Sequence, residues 1–132
     1  MIETDKTMEK LISMDPTLAP FWQGAASGRL MIQRCTACGA HQFPPRPFCL
    51  TCDATAPEWA RAGGEGVVHS VTVSHLPPNP GQAMVLVDLQ EGPRLLMLAE
   101  GTPRIGQTGT ASWAEGAGGQ PVLRFRAHQI DG

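Results

Sequence analysis

The chain has no tyrosine, only three Trp and four Phe among 132 residues, and only ten basic side chains against twelve acids. Sheet-based single-strand nucleic-acid binders stack bases on aromatics inside a basic groove. A formal charge of −2 with so few rings argues against that class. Long apolar runs are also missing. Nothing approaches the ~18 consecutive apolar residues of a membrane helix, and the start, MIETDKTMEKLISM, lacks the basic head and apolar stretch of a secretory signal. We therefore expect a cytoplasmic protein without a membrane partner. A 42% apolar content over this length fits one ordinary domain, or a small domain with a satellite module.

Cysteine is scarce as well, and its four copies are crowded into one place. CTACGAHQFPPRPFCLTC runs from Cys35 to Cys52 and contains two C-x-x-C pairs with ten residues between them. In a reducing compartment such a cluster reads as metal ligands rather than disulfides. Two tight knuckles joined by a hairpin put one sulfur at each corner of a tetrahedron, which suits Zn²⁺ held by Cys35, Cys38, Cys49 and Cys52. Gly39, and less readily Asp53, can adopt the left-handed backbone that ends each knuckle. Pro44, Pro45 and Pro47 hold the intervening segment extended and lower the entropy lost on closing the site. Iron in the same S₄ geometry is the alternative metal. A redox pair is the weaker reading, because no βαβ context surrounds either C-x-x-C. Four thiolates leave no open coordination position, so the metal is expected to be structural. With Zn²⁺ bound the net charge becomes about −4.

Met8, Leu11 and Ile12 suggest a short helix over 5–13, and Asp15-Pro16 opens a second one over 18–26 through Leu18, Phe21, Trp22 and Ala25. RLMIQR leads as a strand into the first cysteine pair. In GVVHSVTVSH strict alternation puts Val67, His69, Val71, Val73 and His75 on one face. AMVLVDLQ and RLLMLAE flank Glu91-Gly92-Pro93 as a hairpin, and TGTASWAE and PVLRFRAH supply two more strands. Breaker clusters LPPNPG and EGAGGQ separate them. Five short strands with glycine breaks fit a small closed antiparallel barrel such as an OB-fold, with an SH3-like barrel or open sandwich as alternatives. A barrel also removes the edges that so apolar a hairpin could not safely expose. The fold class expected is mainly β: N-terminal helical segment 1–28, zinc ribbon 29–57, barrel 58–132.

The remaining candidates for chemistry are sparse. His41, His69, His75 and His128 are dispersed, with no Ser, Cys or Asp at a catalytic interval. Asp88 is expected to pair with a nearby Arg. Arg46, between prolines, is either a counter-charge to the metal site or a phosphate or interface contact. Phe21 and Trp22 are expected to pack on the barrel, with an anchor for a partner as the alternative, and Leu76 and Trp113 are further candidate apolar contacts. No acid/base pair, activated nucleophile or open metal position emerges, so no catalytic residue is assigned.

Taken together, FWQGAASGRLMIQRCTACG, QFPPRPFC, CLTC, GEGVVHSVTVSH, VLVDLQEGPRLLMLAEG, RIGQTG and PVLRFRA resemble the zinc-ribbon plus OB-fold family catalogued as domain of unknown function 35, over nearly the whole chain from Asp15. The resemblance implies short helices, a rubredoxin-like zinc ribbon with the four cysteines at its ligand positions, and an OB barrel. It also implies a role. Similar proteins are accessory subunits of thiolase-superfamily enzymes, acyltransferases or steroid side-chain aldolases of lipid metabolism, encoded beside their partner and placed near its acyl-CoA entrance. The expectation is a non-catalytic subunit that docks on a thiolase-like partner and helps form an acyl-CoA site, with Phe21, Trp22 and Arg46 as contact residues. A single-stranded nucleic-acid-binding protein and a stand-alone acyl-CoA-binding module are the alternatives.

Overall fold

The computed structural model of the protein describes residues 6–77, 80–116 and 119–128. Parts of LPPNPG and EGAGGQ, and the expected helix position at residue 5, lie outside that range. Helix α1 runs Lys6–Met14. Asp15 then caps a 3-10 turn, Pro16–Leu18, by accepting from the Thr17 N–H at 3.1 Å. Helix α2, Ala19–Ala26, follows, with Pro20 in its first turn, where a missing N–H costs nothing.

Strand β1 (Leu30–Arg34) is the centre of a three-stranded sheet, flanked by β2 (His41–Gln42) and β3 (Glu58–Ala62). The stretch from Glu58, expected to open the barrel, thus begins with a strand paired to β1 in register Leu30↔Ala62 through Arg34↔Glu58. The barrel starts at Glu65 with β4 (Glu65–Val73), followed by β5 (Ala83–Leu89), β6 (Arg94–Ala99), β7 (Thr108–Glu115) and β8 (Pro121–Ala127). It closes in the order β4-β5-β6-β8-β7, the five-stranded OB arrangement.

One pairing, β6 with β8, is parallel. This corrects the all-antiparallel expectation, and the reason is arithmetic. Around a closed ring of five strands, directions cannot alternate at every step.

A second correction concerns the first barrel strand. The register between β4 and β5 slips between Val68 and Ser70, a bulge at His69. Before it Gly66 and Val68 face inward; after it Val71 and Val73 pack on the core, while Val67 and His69 are exposed. The five residues expected on one face are therefore split, because the extra residue of a bulge inverts the alternation beyond it.

A single apolar cluster joins both parts. Phe21, Leu30, Ile32 and Ala62 from the helix and ribbon pack with Val68, Val85, Val87, Met97, Leu123 and Phe125 of the barrel. Phe21 stands edge-on to Trp22 and to Trp113, with ring centroids 5.0 and 5.2 Å apart, and tilts against Phe43 at 4.8 Å. Such pairs contribute ~0.5–1.5 kcal/mol each beyond burial. These rings bind the helical segment and the ribbon to the barrel.

Candidate metal centre

Each cysteine pair sits in the same hydrogen-bonded turn. Cys35 N–H donates to the Ala40 carbonyl at 2.8 Å and Gly39 N–H to the Cys35 carbonyl at 2.9 Å. The second knuckle repeats both bonds at the same lengths, Cys49 to Ala54 and Asp53 to Cys49. Gly39 and Asp53 take φ of 79° and 66°, as the sequence predicts for the ends of the two knuckles. Within each turn an N–H also points at sulfur: Cys38 N–H to Cys35 Sγ at 3.5 Å and Thr51 N–H to Cys49 Sγ at 3.4 Å.

The four Sγ atoms lie within 4.8 Å of one another. Cys35 and Cys52 are 3.5 Å apart and Cys38 and Cys49 3.7 Å. Those separations are far beyond a disulfide, ~2.05 Å. They match the ~3.8 Å edge of a tetrahedron with Zn–S bonds of ~2.3 Å. The donor set therefore fits a zinc ion with all positions filled by sulfur. Bound there, zinc would brace the two knuckles against each other.

Electrostatics support this use. The Cys38 N–H beside Cys35 holds its thiol down to about 6, against its burial. Cys49 is lowered too, chiefly by the N–H groups of Cys52 and Thr51. Cys52 behaves differently. The Ala54 N–H favours its thiolate, but the neighbouring Cys35 and Cys38 sulfurs outweigh that and push it up to about 12. Sulfur anions crowded together repel; a divalent cation between them removes the conflict.

The other candidates fall elsewhere. Arg46 donates its own N–H to Gln33 Oε1 at 2.8 Å and folds its guanidinium onto the Pro45 carbonyl at 3.1 Å. Arg34, paired to Glu58 at 3.3 Å, stands beside the first knuckle near Gly39. Phe21 is buried, Trp22 and Trp113 are half-buried, and Leu76 is 74% exposed. Asp88 does pair with an arginine, Arg94, at 2.6 Å, and His69 lies 3.5 Å from its other oxygen. His128 touches Thr108, Thr110 and Glu65 on the barrel surface. Sequence reasoning missed the Gln33–Gln42 amide pair beneath the proline loop, 2.9 Å apart. Isolated glutamines on short strands give no signal until the strands are paired.

Fold and site together define a four-cysteine zinc ribbon continuous with an OB barrel. Residues 22–58 match the profile of the ChsH2 rubredoxin-like zinc ribbon domain. A solved structure described as the Ltp2-ChsH2(DUF35) aldolase is similar at 32% identity and a TM-score of 0.75, covering 86% of this chain and 95% of that one. A DUF35 protein of unknown function from Sulfolobus solfataricus shares the fold, with a TM-score of 0.67 at 19% identity over 94% of this chain and 95% of that one. A probable enoyl-CoA hydratase alpha subunit of Thermomonospora curvata is 35% identical over an alignment of 127 positions, gaps included, that covers 86% of this chain and 40% of that relative. The chain belongs to the DUF35 family. Among the described residues no helix is long and apolar enough to cross a membrane.

Proposed function

We propose that this chain is a non-catalytic, zinc-braced subunit that docks on a thiolase-like partner, an aldolase, thiolase or acyltransferase, and helps form its acyl-CoA site. The observation that carries the reading is the four-sulfur cluster: Cys35, Cys38, Cys49 and Cys52 can fill all four positions of a bound zinc, which would then hold a surface in shape with no position left to activate a reagent. Its relatives support the partner class, one being named as part of an aldolase and another as a probable subunit of an enoyl-CoA hydratase.

The surface agrees with docking through the ribbon. Phe48 and Leu50, on either side of Cys49, are 41% and 60% exposed. Two large apolar side chains on a knuckle whose backbone is fixed by metal make a rigid anchor of the kind interfaces favour. Helix α2 would contribute through its outer face, since Phe21 and Ala25 are already committed to the core.

The test is to purify the chain alone and together with the product of the neighbouring gene. Acyl-CoA turnover is expected only from the pair. Robust turnover by this chain alone would end the proposal.

A further inference from the structure

Between the Pro16–Leu18 turn, β1 and the proline loop lies a cavity of about 300 Å³ lined by Thr17, Gln33, Pro45, Arg46 and Pro47. Gln33 is a buried polar side chain, 6% exposed, and backbone groups dictate which way its amide points. Leu50 N–H donates to Gln42 Oε1 at 2.9 Å, so the other end of Gln42 is its donor end. That Nε2 reaches the Phe48 carbonyl at 3.0 Å and Gln33 Oε1 at 2.9 Å. Arg46 N–H donates to the same Gln33 oxygen at 2.8 Å. Both lone pairs of that oxygen are therefore used. The Gln33 amide nitrogen carries two N–H donors and finds no acceptor among the described residues. That nitrogen is not among the fully buried unpaired polar atoms of the described residues, so it meets solvent in the cavity it lines, where a ligand acceptor would replace water.

The rest of the lining narrows the acceptor. Arg46 brings one positive charge with no carboxylate partner among the described residues. Asp15, just behind Thr17, brings one negative charge, so the site as a whole is close to neutral. The Thr17 hydroxyl gives its proton to Asp15 and keeps lone pairs to offer. Pro45 and Pro47 supply apolar wall. Donors on one side, an acceptor on the other and apolar surface between them complement an amide on an aliphatic stem better than a phosphate. The volume suits a narrow arm and is too small for a whole nucleotide conjugate.

We propose that this cavity receives the pantetheine arm of an acyl-CoA, an amide carbonyl of the arm accepting from Gln33 Nε2 beside Arg46. The inference rests on the acyl-CoA reading above and gives it a place on this chain. Because Leu50 lies between Cys49 and Cys52, the metal also fixes the amide relay that aims Gln33.

The experiment is an NMR titration of the ¹⁵N-labelled, zinc-loaded chain with pantetheine, with CoA and with adenosine 3′,5′-bisphosphate. Pantetheine and CoA should shift the Gln33 side-chain amide saturably; the adenosine probe should not. Gln33→Glu keeps both accepted hydrogen bonds and replaces the donor by an acceptor, while Arg46→Ala trims an exposed side chain and keeps the fold. Each should weaken pantetheine binding ~3–10-fold. The inference fails if Gln33 is unmoved at about 10 mM pantetheine. It also fails if the adenosine probe alone moves Gln33, or if both variants bind like the parent. A silent Gln33 in a chain whose partnered form still turns over acyl-CoA removes the cavity and leaves the subunit role. A responsive Gln33 with an inactive pair does the reverse.

Discussion

Trp113 Nε1 donates to the Arg29 carbonyl oxygen at 3.0 Å, joining barrel strand β7 to the turn that enters the ribbon. The ring packs edge-on to Phe21 at the same place, so one side chain closes the seam by both a hydrogen bond and apolar contact. Trp113→Phe should keep most of the contact and lose the bond. The expected cost is ~1 kcal/mol in urea unfolding. Phe21→Ala, which empties the centre of the aromatic cluster, should cost ~3 kcal/mol or more.

Gly109 in β7 has no room for a side chain. An added Cβ would lie 2.5 Å from Phe125 Cζ and collide with the Arg126 carbonyl oxygen of the paired strand. Backbone on β8 cannot retreat without opening the barrel. Gly109→Ala should therefore destabilise by ~2 kcal/mol or more, read by thermal melting, whereas Gly81→Ala meets no neighbour and should cost only the strain of its left-handed backbone.

Asp88 is held below the ordinary carboxylate range, first by the hydrogen bond from Arg94 and then by the charges of Arg94 and His69. A carboxyl depressed in the folded state adds stability above its unfolded pKa and loses it as pH falls through the native value. Asp88→Asn should lower stability near pH 7, flatten the acid side of the stability curve and converge with the parent at low pH. Both groups are well exposed, so the contribution should stay within ~1 kcal/mol. An acid limb identical in parent and variant would contradict the pairing.

Chelating the metal, or Cys49→Ser, should loosen residues 30–62 and leave the barrel cooperative. The ribbon sheet has two five-residue strands and a two-residue edge, too little apolar surface to order the knuckles without help, so metal supplies the folding energy. Amide exchange should accelerate in β1 and β2 while β5 and β6, whose Val85, Val87 and Met97 are fully buried, keep their protection. Uniform loss of protection would show that ribbon and barrel unfold as one.

How far the sequence led depends on whether a feature is local. The clustering of the four cysteines, the left-handed Gly39 and Asp53, the Asp15-Pro16 start and the β5–β6 hairpin are written in neighbouring residues, and each is found in the fold. The bulge at His69 is not local: Val67, His69 and Val71 look like one face until β5 imposes a register that slips between them. Likewise the polar, alternating Glu58–Ala62 resembles any barrel strand, and only its pairing with β1 places it in the ribbon sheet. Gln33 and Gln42 are nine residues apart and become one network only when β1 and β2 lie side by side.

The claim beneath the whole account is that sulfur alone saturates the metal, and X-ray absorption at the zinc edge of the purified chain tests it most directly. Four sulfur scatterers at ~2.3 Å with no nitrogen or oxygen in the coordination sphere are the predicted result. Three sulfurs and a light atom, or a protein that purifies without metal, would contradict it.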